Sequence, residues 1–272
     1  MGKVNERDGI AILQLIIFPF IFAAAIFIWN RAGWRVGSKI WRYPATLSLL
    51  RIAGSISTLI AIDHSSDNVL RAEFVCELIG IAPLLLCYIG IMRQIDIDQR
   101  IPPRPLVLVT VMAIVGLILG IAGVSTANVD VEVVNGKVKY IYNPGSLVQA
   151  SMGIFIAVFV ITVLMTAWLY LQLSSNLRRF QKKLFMASLF SAPFLLVRLV
   201  YSALGDWDST DGRFSLFGGN STIYLVMSVL EEIFAMIITM GLALSAVLES
   251  DFVRITRPGQ HAVETEPKYN GV

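Results

Sequence analysis

Seven apolar stretches, joined by connections that are alternately rich and poor in Lys and Arg, constrain this chain more than any other feature of its sequence. A helix that crosses a hydrocarbon core needs about 20 largely apolar residues. Stretches of that kind fall at 9–29, 43–62, 72–92, 106–124, 146–173, 184–204 and 222–248. The third is the least obvious, because Arg71, Glu73 and Glu77 crowd its start. Its apolar run, 78–92, is too short alone, so both glutamates must enter the membrane with it. Composition agrees: 56% of the 272 residues are hydrophobic and 15% are charged, against about 45–50% and 25% in soluble domains. The expected fold class is an all-α membrane protein, a seven-transmembrane helix bundle over 9–248. A short leader, 1–8, precedes it and a polar tail, 249–272, follows.

The connections orient the bundle by the positive-inside rule. One side holds Arg31, Arg35, Lys39, Arg42, Arg93, Arg100, Arg104, Arg178, Arg179, Lys182, Lys183, Arg254, Arg257 and Lys268, 14 in all. The other holds Lys3, Arg7, Arg71, Lys137, Lys139 and Arg213, only 6. This predicts an outside N-terminus and a cytosolic C-terminus, in the endoplasmic reticulum or plasma membrane. The first stretch is expected to be a span rather than a signal peptide. Lys3 and Arg7 before it are balanced by Glu6 and Asp8, and the basic cluster follows it.

The outer connections are short. Residues 128–134 and 137–142 alternate on either side of Asn135-Gly136, the pattern of a β-hairpin with a type I′ turn. Asp130 and Glu132 would face Lys137 and Lys139 across it. The hairpin either caps the mouth of the bundle or packs only on itself. Asp206, Asp208 and Asp211 lie in the next outer loop without the twelfth-position Glu of a calcium loop, so a solvated acidic loop is expected. Asn220-Ser221-Thr222 is the only glycosylation sequon, and it falls on the outside. The tail carries Pro258, Gly259 and Pro267 and is expected to be disordered.

Ionisable residues inside spans cost about 2.5–3.5 kcal/mol each at a helix centre and call for partners. Arg51 shares a face of span two with Ser48, Ser55 and Thr58, and Arg198 lies in span six near Ser191, Tyr201 and Ser202. Glu77 is in span three, and Glu231 and Glu232 are adjacent in span seven. At about 1.5 Å per residue, Arg198, Glu77 and the glutamate pair lie about 8–15 Å below the outer face, with Arg51 nearer the middle. Neighbouring positions point about 100° apart, so Glu231 and Glu232 cannot both address one arginine. One is expected on Arg198 and the other on Arg51 or towards Glu77. Two arginines against three carboxyls leave one carboxyl over, and a neutral carboxylic acid in an apolar pocket is a candidate proton donor. The plainer alternative is a network that only staples helices two, three, six and seven. Pro19, Pro83 and Pro193 are expected to kink their spans, and Trp29, Trp34, Trp41 and Trp207 to form an interfacial belt.

Several chemistries are excluded. Two histidines, His64 in an outer loop and His261 in the tail, build no haem or zinc site. Neither a cofactor nor a metal is expected. Span seven has no lysine for a retinal Schiff base and no Asn-Pro-x-x-Tyr, and span three ends Met92-Arg93-Gln94 instead of the rhodopsin-like cluster. Cys76 and Cys87 are about 16 Å apart on one helix and cannot bridge. A net charge of +3, with its cations in short separate clusters, excludes a nucleic-acid partner.

The run Ala192-Pro-Phe-Leu-Leu-Val-Arg198-Leu-Val-Tyr201-Ser202 resembles a family of fungal seven-span integral membrane proteins with no assigned reaction. So do Met227-Ser-Val-Leu-Glu231-Glu232 with Gly241, Leu47-Ser-Leu-Leu-Arg51-Ile-Ala-Gly54 and Gly80-Ile-Ala-Pro83. The resemblance covers nearly the whole chain apart from the tail. It implies a fungal origin and makes Arg51, Arg198, Tyr201, Glu231 and Glu232 pattern positions, some members lying beside secondary-metabolite genes. The expected role is binding of a hydrophobic small molecule in an outer-half polar pocket, with membrane lipids as the other partners. In one version the protein is a cyclase or isomerase. It is then similar in size and span count to fungal transmembrane terpene cyclases, although their sequence pattern is missing. Glu77, Glu231 and Glu232 would supply acid and counter-group, with Arg51, Arg198 and Tyr201 binding. In the other it is a receptor-like sensor with a cytosolic partner at Arg178, Arg179, Lys182 and Lys183.

Overall fold

The computed structural model describes residues 6–33, 37, 40–61, 80–97, 100–126, 128–134, 137–143, 145–174, 177–207 and 221–252. Seven helices run through them: α1 (Glu6–Ala32), α2 (Arg42–Ala61), α3 (Ile81–Ile95), α4 (Pro103–Thr126), α5 (Ser146–Leu173), α6 (Arg179–Trp207) and α7 (Ser221–Val247). α1, α4, α5, α6 and α7 are each long and apolar enough to cross a membrane. α2 has the length but carries Arg51 with five Ser and Thr hydroxyls, and the described part of α3 is 15 residues. Glu73, Cys76 and Glu77 lie outside the described residues, as do His64, Trp34, Asp208, Asp211, Asn220 and residues 253–272.

Each helix packs on its neighbour in the chain and α7 returns to α1, which closes a ring. α3 also packs on α5 and α6 and is buried at every position except Arg93. It is the central helix, apolar on every face as far as Met92 because protein surrounds it. α4 and α5 are the opposite case. Only 28% of the most apolar stretch of each is buried, and Leu108, Ile118, Leu164 and Leu171 stand exposed. In water such surface would be untenable; in hydrocarbon it is the ordinary outer face of a bundle. The chain is a multi-pass membrane protein.

Local chemistry sets the joints. α1 ends at Gly33, whose φ of 97° only glycine adopts readily. α4 meets α5 at Gly116 and Gly123. The absence of side chains there lets Ser151 Oγ donate to the Gly116 carbonyl at 2.7 Å. Asp96 accepts from the backbone N–H groups of Arg100 and Ile101 at 2.8 and 2.9 Å, fixing the α3–α4 connection.

Strands β1 (Asn128–Val134) and β2 (Lys137–Asn143) pair antiparallel. Glu132 stands across from Lys139, but Asp130 lies across from Ile141 and Lys137 from Val134, so the register matches only one of the two expected charge pairs. The turn, 135–136, lies outside the described residues. Other expectations are corrected too. Trp41 is fully buried and so is not part of an exposed aromatic belt; beside it, Gly90 lets Ile40 pack closely on α3. Pro19 and Pro193 sit inside helices, as expected, and Pro83 is the third residue of the described part of α3. The first four tail residues are ordered: Asp251 accepts from the Arg179 N–H at 2.7 Å, and Phe252 meets Phe180 edge-on.

Candidate functional site

The buried ionic cluster is assembled from three helices. Arg51 sits on the inward face of α2 between Ser48 and Ser55, one helical turn away on either side and equally buried. Ser55 Oγ donates back to the Arg51 carbonyl at 2.8 Å and is also 3.1 Å from Gln14 Oε1 of α1. The guanidinium of Arg51 reaches α7 and donates twice to Glu232, Nε to Oε1 and Nη2 to Oε2, each at 2.6 Å. Arg198 of α6 places Nη2 3.1 Å from the same Oε2. Its Nη1 donates to the Ser228 carbonyl at 3.1 Å and to Ser228 Oγ. All three ionic side chains are at most 5% exposed.

One carboxylate therefore serves two arginines, and the two contacts from Arg51 are of the short, charge-assisted kind. The sequence places one glutamate on Arg198 and the other on Arg51 or towards Glu77. Glu232 takes both because Arg51 and Arg198 approach it from different helices, Arg51 on both oxygens and Arg198 on Oε2, while Glu231 points about 100° away. Glu231 is half-buried, and its Oε2 is buried without a hydrogen bond. Tyr201 and Ser202 lie buried on the face of α6 that carries Arg198, one turn further along. Glu77 and Asn220 lie outside the described residues.

Two contributors escaped the sequence reading. Ser228 stands one turn before Glu232, a spacing that is visible in the sequence. Gly80 gave no such sign within its apolar run. A Cβ built on Gly80 would lie 2.6 Å from Arg51 Nη2 and 3.2 Å from Cζ, so the bare backbone at the head of α3 makes room for the guanidinium.

An apolar crevice of about 380 Å³ opens elsewhere, between α5 and α6, lined by Ile156, Phe159, Leu196, Val200, Ala203 and Trp207 among others. Leu196 and Val200 are two positions from Arg198, about 200° round the helix. The crevice thus lies on the far side of α6 from the cluster and has no charged group in its lining. Of the basic residues at the start of α6, Arg178, Arg179 and Lys182 are exposed. Lys183 turns inward to Ser245 Oγ at 2.7 Å and to Glu249. Among the described residues no group of His, Cys, Asp and Glu could hold a metal ion.

Fold and cluster together define a polytopic helical membrane protein with a buried arginine–glutamate core. The chain belongs to the family described as a domain of unknown function, DUF7702, whose model matches residues 4–249. A comparison with curated proteins finds no match.

Proposed function

We propose that the protein binds a hydrophobic small molecule beside the α2–α6–α7 cluster and isomerises or cyclises it, with Glu231 as proton donor. The supporting observation is the contrast between two adjacent carboxyls. Glu232, as a carboxylate paired with two guanidiniums, holds no proton to give. Glu231 has a buried oxygen with no hydrogen bond to protein and about 15 Å of helix between it and the Ser221 end. Proton transfer from the Glu231 carboxyl to an alkene carbon of the substrate would leave a carbocation. Loss of a different proton from that cation to the Glu231 carboxylate would restore the acid and release a product of unchanged mass. Arg51 and Arg198 hold Glu232 as the fixed counter-charge, and Tyr201 borders the same face. Glu77 belongs to this proposal as a further candidate acid. The same reading places the N-terminus, the β1–β2 hairpin and Asn220 outside, in a pathway of secondary metabolism.

The test is a metabolite profile of the source organism with the gene deleted, complemented by wild type or by Glu231→Gln. We expect one compound to vanish, a precursor of equal mass to accumulate, and only wild type to restore the product. An unchanged profile under producing conditions overturns the enzyme reading. A receptor-like reading draws on the exposed cations Arg178, Arg179 and Lys182. It requires a G-protein subunit to coprecipitate with wild type and not with the triple Glu variant at those positions.

A further inference from the structure

The stretch of α7 just before the two glutamates is the only one among the described residues with π-helical hydrogen bonding. It covers Leu225–Leu230, between an α turn at Ser221–Tyr224 and regular α-helix from Glu231. A π turn closes from i to i+5 and so holds one more residue than an α turn. That surplus residue can sit anywhere along the helix, provided the turn holding it can be accommodated. When it lies before Glu231, as here, Glu232 meets the arginines. If it passes to the far side of Glu232, every residue between moves on by one helical position, about 100° and 1.5 Å. Glu231 then stands where Glu232 stood.

Three observations bear on that shift. The two positions carry the same side chain, so both hydrogen bonds to Arg51 and the contact with Arg198 can be remade unchanged. In the present register a Glu231 oxygen is buried without a hydrogen bond, a cost that entry into the cluster would relieve. Ser228 marks the present register: its carbonyl accepts from both the Glu231 N–H and Arg198 Nη1, and its hydroxyl accepts from Arg198 as well. After the move Met227 takes that place and the hydroxyl contact is lost.

We propose that α7 has two registers, related by passage of the π turn across Glu231–Glu232, in which Glu231 replaces Glu232 at the Arg51–Arg198 clamp and Glu232 moves on by one position. Ser228 holds the resting register. The device stands whether or not the cluster handles a ligand, because its parts are the helix and the clamp alone.

Thermal unfolding in one detergent tests it. In a static cluster Glu232→Gln costs as much as the double variant Glu231→Gln, Glu232→Gln, because Glu231 takes no part. With two registers Glu231 substitutes: the single variant melts within about 2 °C of wild type, whereas the double variant falls by about 10 °C. Deleting Val226, whose side chain is half exposed, removes the surplus residue and leaves both ends of α7 in place. In that background the rescue should disappear, and Glu232→Gln should melt with the double variant. Equal losses for the single and double variants in the full-length chain overturn the proposal. So does a Glu232→Gln chain that fails to fold where Glu231→Gln folds. If the deletion itself does not fold, the first comparison still decides.

Discussion

Arg51 and Arg198 share a single carboxylate in a setting almost without water, and that makes the trio costly to break and cheap to replace whole. Arg51→Leu leaves Glu232 short of its closer partner and should destabilise by about 3–5 kcal/mol. Arg51→Lys should recover little, because an ammonium cannot reproduce the two parallel bonds of a guanidinium. The combined change Arg51→Met, Arg198→Met, Glu232→Leu should melt above either single arginine variant, since it leaves no buried charge unpaired. Melting curves in detergent rank the three; a triple variant less stable than Arg51→Leu would show that the ion cluster itself holds the helices. Gly80→Ala is the subtler probe. Its methyl would press on a guanidinium that two short bonds hold still, and we expect a loss of about 1–2 kcal/mol. At this scale the sequence told which residues had to find partners, because charge inside an apolar run is plain to see. It could not tell which glutamate meets the arginines. That depends on one surplus residue held in Leu225–Leu230, and nothing in the string Leu-Val-Met-Ser-Val-Leu announces a π turn.

Among the elements, the helices were legible because hydropathy and length decide them, and the apolar stretches locate all seven. The ends were less so. α6 begins at Arg179, five residues before its apolar stretch. The helix is extended by polar joinery: Gln181 Oε1 accepts from the Arg178 N–H at 3.0 Å, and Gln181 Nε2 donates to the Ile95 carbonyl at 2.8 Å. In the sequence those residues look like part of a basic surface cluster. The seam of α4 and α5 yields a prediction of its own. A Cβ at Gly123 would meet the Val148 backbone nitrogen at 2.9 Å, while one at Gly153 on α5 would meet nothing within 4 Å. Gly123→Leu should therefore push the helices apart and cost about 1–3 kcal/mol, with Gly153→Leu nearly neutral. Equal melting temperatures for the two variants would contradict the close seam.

For the molecule as a whole, the division of charge between the connections sets which way the bundle faces. The 14-to-6 division of Lys and Arg predicts Asn220 on the outer side, where a glycan can be added. A gel shift reversed by glycosidase, and absent in Asn220→Gln, would establish that side. A site moved into the α6 start by mutation and found glycosylated instead would invert the topology. The closure of the ring and the central place of α3 were not legible from the sequence. Apolar runs alone do not say that α7 returns to α1, or that one helix is hidden from lipid on all sides.

The short stretch after α7 bears on where the chain can be cut. The family match stops at residue 249, and a hydropathy plot would invite truncation there. Yet Asp251 accepts from the first N–H of α6, and Phe252 lies against Phe180. A protein ended at 249 would keep every membrane span and still lose the clasp that joins the last helix to the start of the sixth. Ending it beyond Phe252 preserves that clasp, and an affinity tag belongs further out still.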